Sequence, residues 1–197
     1  MSGRDPWAAL RPPLPIRPAG AADAGAVAAF LAAMDRDGLY QRHFSHGEAP
    51  NLALLRRLQE ADGHAIAAFV ATDASGGVIA HAEFVADGVD AEFALMVLPR
   101  WRHVGLGSAL LQVLVDRAAA EGHRSLTGLV QATNTAAIGL ARRMDFATRP
   151  GDDRTTVVVS LPLAGRRVGH PPAGSSEPVP DLRHDPHRIT LHRRPGA

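Results

Sequence analysis

Residues 97–111 have the sequence VLPRWRHVGLGSALL, which is the most specific pattern in the chain. An apolar segment ends at Pro99, and Gly105 and Gly107 precede leucines that recur at helical spacing. A glycine loop at the start of a helix leaves several backbone N–H groups unpaired at the positive end of the helix dipole. Such groups bind a pyrophosphate, and glycines let the phosphates approach the backbone. The stretch therefore predicts a strand, a phosphate-binding loop and a helix in that order.

Apolar periodicity on both sides of this loop predicts an α/β chain. The predicted strands cover residues 14–17, 64–72, 78–85, 90–98, 124–130, 147–149 and 155–161. The predicted helices cover residues 24–34, 38–44, 51–60, 105–121 and 134–144. The second, third and fourth strands are joined by short turns, so they predict an antiparallel meander that leads into a strand–helix–strand crossover.

The two ends of the chain differ in composition from the middle. Residues 1–13 predict a flexible leader, and residues 164–197 are rich in Pro, Gly, Arg and His and predict a disordered tail. Residues 14–163 then form the folded domain. No apolar run approaches the roughly 20 residues that span a bilayer, and the N-terminus has no hydrophobic signal core. We therefore expect a cytoplasmic protein with no membrane partner.

Composition excludes several classes of function. The 197 residues include no cysteine, which removes thiolate nucleophiles and zinc–thiolate sites. All 21 basic residues are arginine, so no lysine is available for a Walker A loop or a Schiff base. The 20 acidic residues bring the net charge to +1, so no global field attracts nucleic acid. His43 and His46 have a spacing found in some metal sites, but no acidic motif accompanies them, and no metal cofactor is expected.

At its full spacing, the pattern V-x-P-x-x-R-x-x-G-x-G-x-x-L-L after a meander resembles the acetyl-CoA signature of the GNAT N-acetyltransferase superfamily. The resemblance implies an α/β (α+β) GNAT fold with a mixed, mostly antiparallel sheet of about seven strands. That sheet is splayed between strands 4 and 5 and flanked by about four helices. Acetyl-CoA is the implied co-substrate, with its pyrophosphate on residues 102–107. The residues expected to bind acetyl-CoA are Met96, Val97, Arg102, His103, Val104, Gly105, Leu106, Gly107, Ser108 and Asn134.

The helix predicted after the next strand also matches this family, through residues 134–146, NTAAIGLARRMDF. The resemblance implies that Asn134 contacts the pantetheine arm near the thioester, and the same asparagine is a suitable helix N-cap. Many family members have a tyrosine at the position of Ala141, where it acts as general acid for the leaving thiolate. No hydroxyl is available at Ala141, and the thiolate can leave unassisted because a free thiol has a pKa of about 8.5.

Glu92 is the only acidic residue in the otherwise apolar segment 91–98. One interpretation is a glutamate at a strand edge or end that faces water. The other is a general base, because an amine acceptor arrives protonated and a partly buried glutamate with a raised pKa can remove its proton, directly or through water. The family resemblance implies that backbone N–H groups near Val97, where the strands splay apart, polarise the thioester carbonyl in that mechanism. Glu92 is therefore the candidate catalytic residue.

A narrower resemblance concerns the acceptor. Residues 39–45, LYQRHFS, the leucine-rich helix after them and the segment 91–93, AEF, are similar to the acetyltransferase domain of bacterial Pat-type protein lysine acetyltransferases. In those enzymes the glutamate that matches Glu92 is the catalytic base, the helix tyrosine is commonly absent, and known relatives modify acyl-CoA synthetases. The resemblance implies a protein lysine as the preferred acceptor.

Other acceptors and another class of function are alternatives. A small-molecule amine, such as an amino acid, a polyamine or an antibiotic, is the first, because the variable N-terminal helices form the acceptor groove. Residues 40–45 either line that groove or pack Tyr40 and Phe44 into the core. A non-catalytic acyl-CoA-binding module is the alternative from another class. The protein is expected to be a monomer or a homodimer.

Overall fold

The computed structural model describes residues 14–44 and 49–165. The predicted leader, 1–13, and the predicted tail from residue 166 onward lie outside the described residues. The elements are β1 (Ile16–Ala19), α1 (Ala24–Ala32), α2 (Arg36–His43), α3 (Ala49–Gln59), β2 (Ile66–Thr72), β3 (Val78–Asp87), β4 (Asp90–Val97), α4 (Leu106–Ala120), β5 (Ser125–Gln131), α5 (Thr135–Arg143), β6 (Ala147–Pro150) and β7 (Thr156–Pro162). Short 3-10 helices at Ala21–Asp23 and Pro99–Trp101 precede α1 and the loop before α4.

The strands form one mixed sheet in the order β1-β2-β3-β4-β5-β7-β6. Neighbouring strands are antiparallel except β4 and β5, which are parallel. These two pair only near their beginnings, Ala91 with Leu126 and Glu92 with Thr127, and they are not paired beyond that point. A mixed sheet of seven strands that splays between the fourth and the fifth confirms the predicted fold class.

Five α-helices flank the sheet in the described residues, as the apolar periodicity predicts, whereas the family resemblance implied about four. Three of them, α1, α2 and α3, precede β2 as separate helices. Asp35 is the N-cap of α2, and its side chain accepts a hydrogen bond from the Gly38 N–H at 3.2 Å. Phe44 adopts a left-handed conformation with a φ of 56° and ends α2. The result is a short independent helix that packs near β4 and β5.

Helices cover both faces of the sheet. The buried leucines of α4 pack against the strands on one face, and they are Leu106, Leu110, Leu111 and Leu114. His123, just after α4, contacts the ring of Phe84 on that face. Glu83 precedes Phe84 on β3 and points to the opposite face, where side chains of α2 and α3 reach it. Full burial of each leucine stabilises the fold by roughly 1.5–3 kcal/mol.

The last strand of the described residues ends close to residue 163, the predicted end of the folded domain. β7 ends at Pro162, and Leu163 is still buried in the core. The domain limits at residues 14 and 163 stay a prediction. Among the helices of the described residues, none has the length and apolar character needed to cross a bilayer.

Candidate active site

A cleft of about 640 Å³ opens where β4 and β5 diverge. Its walls come from β4, β5, α2, the loop before α4 and the start of α5. The two strands do not pair beyond Glu92 and Thr127, so backbone groups on their facing edges can bind a ligand instead of each other. The cleft is therefore suited to an extended substrate that lies between the strands.

The loop before α4 presents backbone N–H groups to this cleft. His103 and Gly105 have positive φ angles of 62° and 86°, and Gly105 is the N-cap of α4. Within residues 14–44 and 49–165, no backbone acceptor is bonded to the N–H groups of residues 103–108. α4 is 15 residues long, and the positive end of its dipole lies at this loop. An anion such as a pyrophosphate can accept hydrogen bonds from these groups.

The two glycines of the loop are needed for different physical reasons. Gly105 has a φ of 86°, which a side chain disfavours even though a Cβ there would meet no atom within 4 Å. Gly107 lies close to α5, because a Cβ at Gly107 would lie 3.3 Å from Cδ2 of Leu140. The first glycine shapes the loop, and the second permits α4 and α5 to approach each other.

The Arg102 side chain is paired with Asp35, the N-cap residue of α2. Arg102 Nη2 and Nη1 donate to the Asp35 carboxylate at 2.7 and 3.2 Å, and Nε donates to the Val97 carbonyl at 3.2 Å. The hydrogen bonds from Arg102 lower the pKa of Asp35 against the opposing effect of burial. Gly38 makes room for this pair, since a Cβ there would lie 2.8 Å from Arg102 Nη2. Arg102 therefore connects the loop to α2.

The cleft brings together most of the residues predicted to bind acetyl-CoA. Those on its wall are Met96, Val97, Arg102, His103, Gly105, Gly107, Ser108 and Asn134. The Leu106 side chain instead lies in the core, and Val104 packs against that core. Leu106 and Val104 can therefore contribute to the loop through their backbone only. The contacts of all ten residues with acetyl-CoA stay a prediction.

Asn134 connects α5 to α2. It is the N-cap of α5, where its Oδ1 accepts from the Ala137 N–H at 3.0 Å, and its Nδ2 donates to Gln41 Oε1 at 3.2 Å. The N-cap role is thus established by geometry, and the contact with a pantetheine arm stays a prediction. Ala141 is buried on α5 and offers no hydroxyl to the cleft.

The predicted acceptor stretch lies partly on the cleft wall. Gln41, Arg42 and Phe44 line the cleft, and Ser45 lies outside the described residues. Tyr40 is 40% exposed, so the alternative that packs it into the core is wrong. α2 therefore forms one wall of the cleft with polar as well as apolar side chains.

Glu92 lies on β4 at the point where the two parallel strands begin to diverge. β4 is a central strand between β3 and β5, so the interpretation of Glu92 as a glutamate at the sheet edge is wrong, and its side chain is half-buried on the cleft wall. Burial raises the pKa of the Glu92 carboxyl, while the cation of Arg42 opposes this shift and Asp87 adds to it. A carboxylate with a raised pKa on the wall of a cleft is suited to accept a proton.

Glu83, which was not predicted as a site residue, is a second acidic residue on the same face of the sheet as Glu92. The antiparallel register of β3 and β4 places Glu83 and Glu92 on one face. Glu83 is fully buried, and its Oε1 accepts from Arg42 Nη2 at 2.6 Å and from Arg57 Nη2 and Nε at 2.7 and 3.1 Å. Burial opposes ionisation, but Arg42 and Arg57 outweigh it and lower the pKa of Glu83 to about 2.

His81 is a further buried polar residue on this face of β3. Burial lowers the pKa of His81 to about 4, so the ring is neutral at neutral pH. His81 and Glu83 interrupt the apolar segment 78–85, and this signal is present in the sequence. Their arginine partners are not signalled locally, because Arg42 and Arg57 lie 41 and 26 residues from Glu83 along the chain.

The cleft joins the N–H groups ahead of α4 to the gap between β4 and β5, beside the Glu92 carboxylate. Residues 25–146 match the Acetyltransferase (GNAT) family, which is more than half of the chain. The chain belongs to that family.

Solved structures share this fold. The GNAT domain of S. lividans PAT has a TM-score of 0.69 with 21% sequence identity, over 75% of this chain and 89% of that one. A GNAT superfamily phosphinothricin acetyltransferase from Sinorhizobium meliloti, solved in complex with AcCoA, has a TM-score of 0.61 with 24% identity, over 82% of this chain and 94% of that one. At these identities the similarity concerns the fold.

A curated relative is similar in sequence over part of its length. The L-methionine sulfoximine/L-methionine sulfone acetyltransferase of Pseudomonas aeruginosa is 36% identical over 83 residues. The match covers 39% of this chain and 48% of the relative, so the chain spans about half the length of the curated relative that it matches. The acceptors in the name of that relative are small molecules.

Proposed function

We propose that this chain acetylates the amine of a small molecule, with acetyl-CoA as donor and Glu92 as general base. The resemblance to Pat-type enzymes implies a protein lysine as acceptor, and a small amine is the alternative. The alternative has the better support, because the relative with 36% identity is named for small-molecule acceptors, whereas the likeness to S. lividans PAT concerns the fold. The observation that carries the proposal is the half-buried Glu92 carboxylate on the wall of the cleft.

The donor side of the proposed reaction rests on backbone groups. The N–H groups of residues 103–108 bind the pyrophosphate of acetyl-CoA, because they have no backbone acceptor in the described chain. Asn134, on the cleft wall, contacts the pantetheine arm. Backbone N–H groups of β4 near Met96 and Val97, where β5 does not pair, polarise the thioester carbonyl.

The proposed chemistry needs one base and two bound substrates. The acceptor enters as an ammonium ion and gives a proton to the Glu92 carboxylate, directly or through water. The neutral nitrogen attacks the thioester carbonyl carbon, a C–N bond forms, and the C–S bond breaks with its electron pair on sulfur. The second proton leaves nitrogen as the amide forms and reaches the thiolate through solvent, because Ala141 has no hydroxyl.

Glu92→Gln tests the base. We expect kcat to fall by about a hundredfold to ten-thousandfold, which is the contribution of general base catalysis. The Kd for acetyl-CoA should stay at the wild-type value, because the loop before α4 is unchanged. Glu60→Gln is the matched control, since Glu60 is exposed and lies just after α3. A wild-type kcat in Glu92→Gln would remove Glu92 from the mechanism.

Release of CoA from acetyl-CoA tests the acceptor class. The purified protein is assayed with L-methionine sulfone, with a panel of other small amines and with an acyl-CoA synthetase as protein substrate. We expect turnover on small amines that collapses in Glu92→Gln. Turnover only on a lysine of the synthetase would overturn the small-molecule acceptor and leave the base in place.

A further inference from the structure

The buried cluster around Glu83 carries more positive than negative charge. Arg42 and Arg57 contribute two guanidinium cations and Glu83 contributes one carboxylate, and both arginines donate to the same oxygen, Oε1. Arginine stays protonated in proteins. His81 adds no charge, because burial lowers its pKa to about 4. These four residues, the Glu83 cluster, therefore hold one excess positive charge next to the cleft.

Arg42 is the member of the Glu83 cluster that lines the cleft. Its side chain is 11% exposed, and Arg42 and Glu92 both belong to the cleft wall. The two groups interact, since the charge of Arg42 opposes the rise in the pKa of Glu92. Arg42 gives Glu83 a hydrogen bond from Nη2, one atom of a guanidinium group that carries five N–H donors. A guanidinium held by a buried carboxylate at one nitrogen can bind a second anion with its other donors.

We propose that Arg42 binds a carboxylate of the acceptor, which is therefore an α-amino acid or a close analogue with its amine at Glu92. This inference rests on the proposed function and specifies its substrate class. In an α-amino acid the carboxyl carbon is two bonds from the amine nitrogen, so one small molecule reaches two neighbouring groups on the cleft wall. The ε-amine of a protein lysine has no carboxylate at that spacing.

The charge balance of the reaction favours such an acceptor. With a zwitterionic amino acid, the charges of the Glu83 cluster, Glu92 and the acceptor sum to zero, both before and after the proton moves to Glu92. With an amine that lacks a carboxylate, the same sum is one positive charge throughout. An uncompensated charge in a partly buried site costs free energy. Arg42 thereby selects against amines without an anionic group.

Glu83 and Arg57 act on the acceptor through Arg42 and are positioning residues. Glu83 is fully buried, and Arg57 is 13% exposed. Arg57 donates to Glu83 through two nitrogens, Nη2 and Nε, whereas Arg42 donates through one. Because one carboxylate faces two guanidinium groups, Glu83 compensates only one of the two positive charges, and Arg42 is the member of the pair that lines the cleft.

The test compares each acceptor with its uncharged form. We measure kcat/KM for a panel of L-α-amino acids, including L-methionine sulfone, and for the primary amide of each, which keeps the amine and the side chain. We expect wild type to prefer acid over amide by about tenfold to a hundredfold, the range for a hydrogen bond between charged groups. Arg42→Gln brings this ratio close to one. Arg42→Lys, which keeps the charge but not the planar fork, retains an intermediate ratio.

The controls separate this inference from the proposed function. Arg56→Gln is the matched variant, because Arg56 is exposed on α3 next to Arg57, and it keeps the wild-type ratio. A wild-type Kd for acetyl-CoA shows that a variant is folded. If Arg42→Gln does not bind acetyl-CoA, the acid-to-amide ratio of Arg42→Lys is the deciding measurement. Equal use of acids and amides by wild type, or an acid preference that persists without the guanidinium, would overturn the carboxylate site while small-amine acetylation stands. Turnover of protein lysine without turnover of any small amine would overturn the proposed function itself.

Discussion

The two walls of the cleft are built from different parts of the chain. The wall before α4 is backbone, since residues 102–108 are one continuous stretch in which positive φ angles at His103 and Gly105 shape the loop. A second part of the lining depends on side chains, Arg42 from α2 and Glu92 from β4, and is called the side-chain wall. Glu83 on β3 holds Arg42 in place from below the cleft surface.

Because of this difference, the backbone part of the cleft should tolerate substitutions better than the side-chain part. A backbone site depends on local conformation, so most side chains in the loop can change without removing its N–H groups. A side-chain site depends on charges that compensate each other in a buried place, so one substitution changes the whole balance. Arg102 joins the two walls, because it starts in the loop and pairs with Asp35 at the start of α2.

The largest expected effect is the loss of stability when the buried Glu83 carboxylate beneath the side-chain wall is removed. Glu83→Gln leaves two buried guanidinium groups without a counter-charge, and the loss of one partner of a buried ion pair costs about 3–5 kcal/mol. Urea unfolding measures this change in the free energy of unfolding. The exposed Glu60→Gln should stay within about 0.5 kcal/mol of wild type. A loss as small as in this control would contradict the assignment of Glu83 as the counter-charge.

Wild type and Glu83→Gln should differ in how their free energy of unfolding depends on pH. The pKa of Glu83 falls from 4.5 to about 2 on folding, so Glu83 contributes stability that is complete above pH 4.5 and is lost as the pH falls towards 2. Protonated glutamic acid resembles glutamine. The difference in unfolding free energy between wild type and Glu83→Gln should therefore shrink across this window, and a constant difference would mean that the charge is not its source.

The loop and the candidate base could be predicted from sequence, because their signals are local. The glycine spacing of 102–107 encodes the loop, and Glu92 interrupts an apolar strand. The partner of Arg102 could not be predicted, since Asp35 lies 67 residues away and meets it only when α2 packs beside the loop. Glu83 gave the same local signal as Glu92, but its arginines are recognisable only after three elements meet.

A smaller effect is expected from substitutions that test whether the loop before α4 binds acetyl-CoA through its backbone N–H groups. Gly105 and Gly76 have nearly the same φ, 86° and 84°, and a Cβ at either would meet no atom within 4 Å. Alanine at either position should therefore cost about 1–2 kcal/mol of unfolding free energy. Only Gly105→Ala should weaken acetyl-CoA binding, by about tenfold in Kd, which corresponds to 1.4 kcal/mol.

Unfolding in urea and titration with acetyl-CoA measure the two effects of this glycine pair separately. Gly76 lies in the turn between β2 and β3, away from the cleft wall, so its variant is the control for backbone strain alone. If both variants lose stability and both keep the wild-type Kd, the N–H groups of the loop do not hold the donor.

The smallest effect concerns the pH dependence of the reaction on the side-chain wall. The pKa of Glu92 is raised by burial, while Arg42 and Arg57 lower it and Asp87 raises it further. A general base must be ionised, so the rate rises with pH as Glu92 loses its proton. Arg42→Gln removes a cation that opposes the shift, so the pKa of Glu92 rises and the acidic limb of the kcat/KM profile moves to higher pH.

The direction in which the acidic limb moves distinguishes electrostatic coupling between Arg42 and Glu92 from a general loss of activity. The profile is measured with an amino acid amide as acceptor, so that a lost carboxylate contact does not contribute. Arg56→Gln should leave the limb in place, and Glu92→Gln should abolish it. A limb that stays in place or moves to lower pH in Arg42→Gln would mean that Arg42 and Glu92 do not share one electrostatic environment in the working enzyme. Glu92 and the Glu83 cluster would then be two independent sites, because the charge of Arg42 would have no influence on the pKa of Glu92.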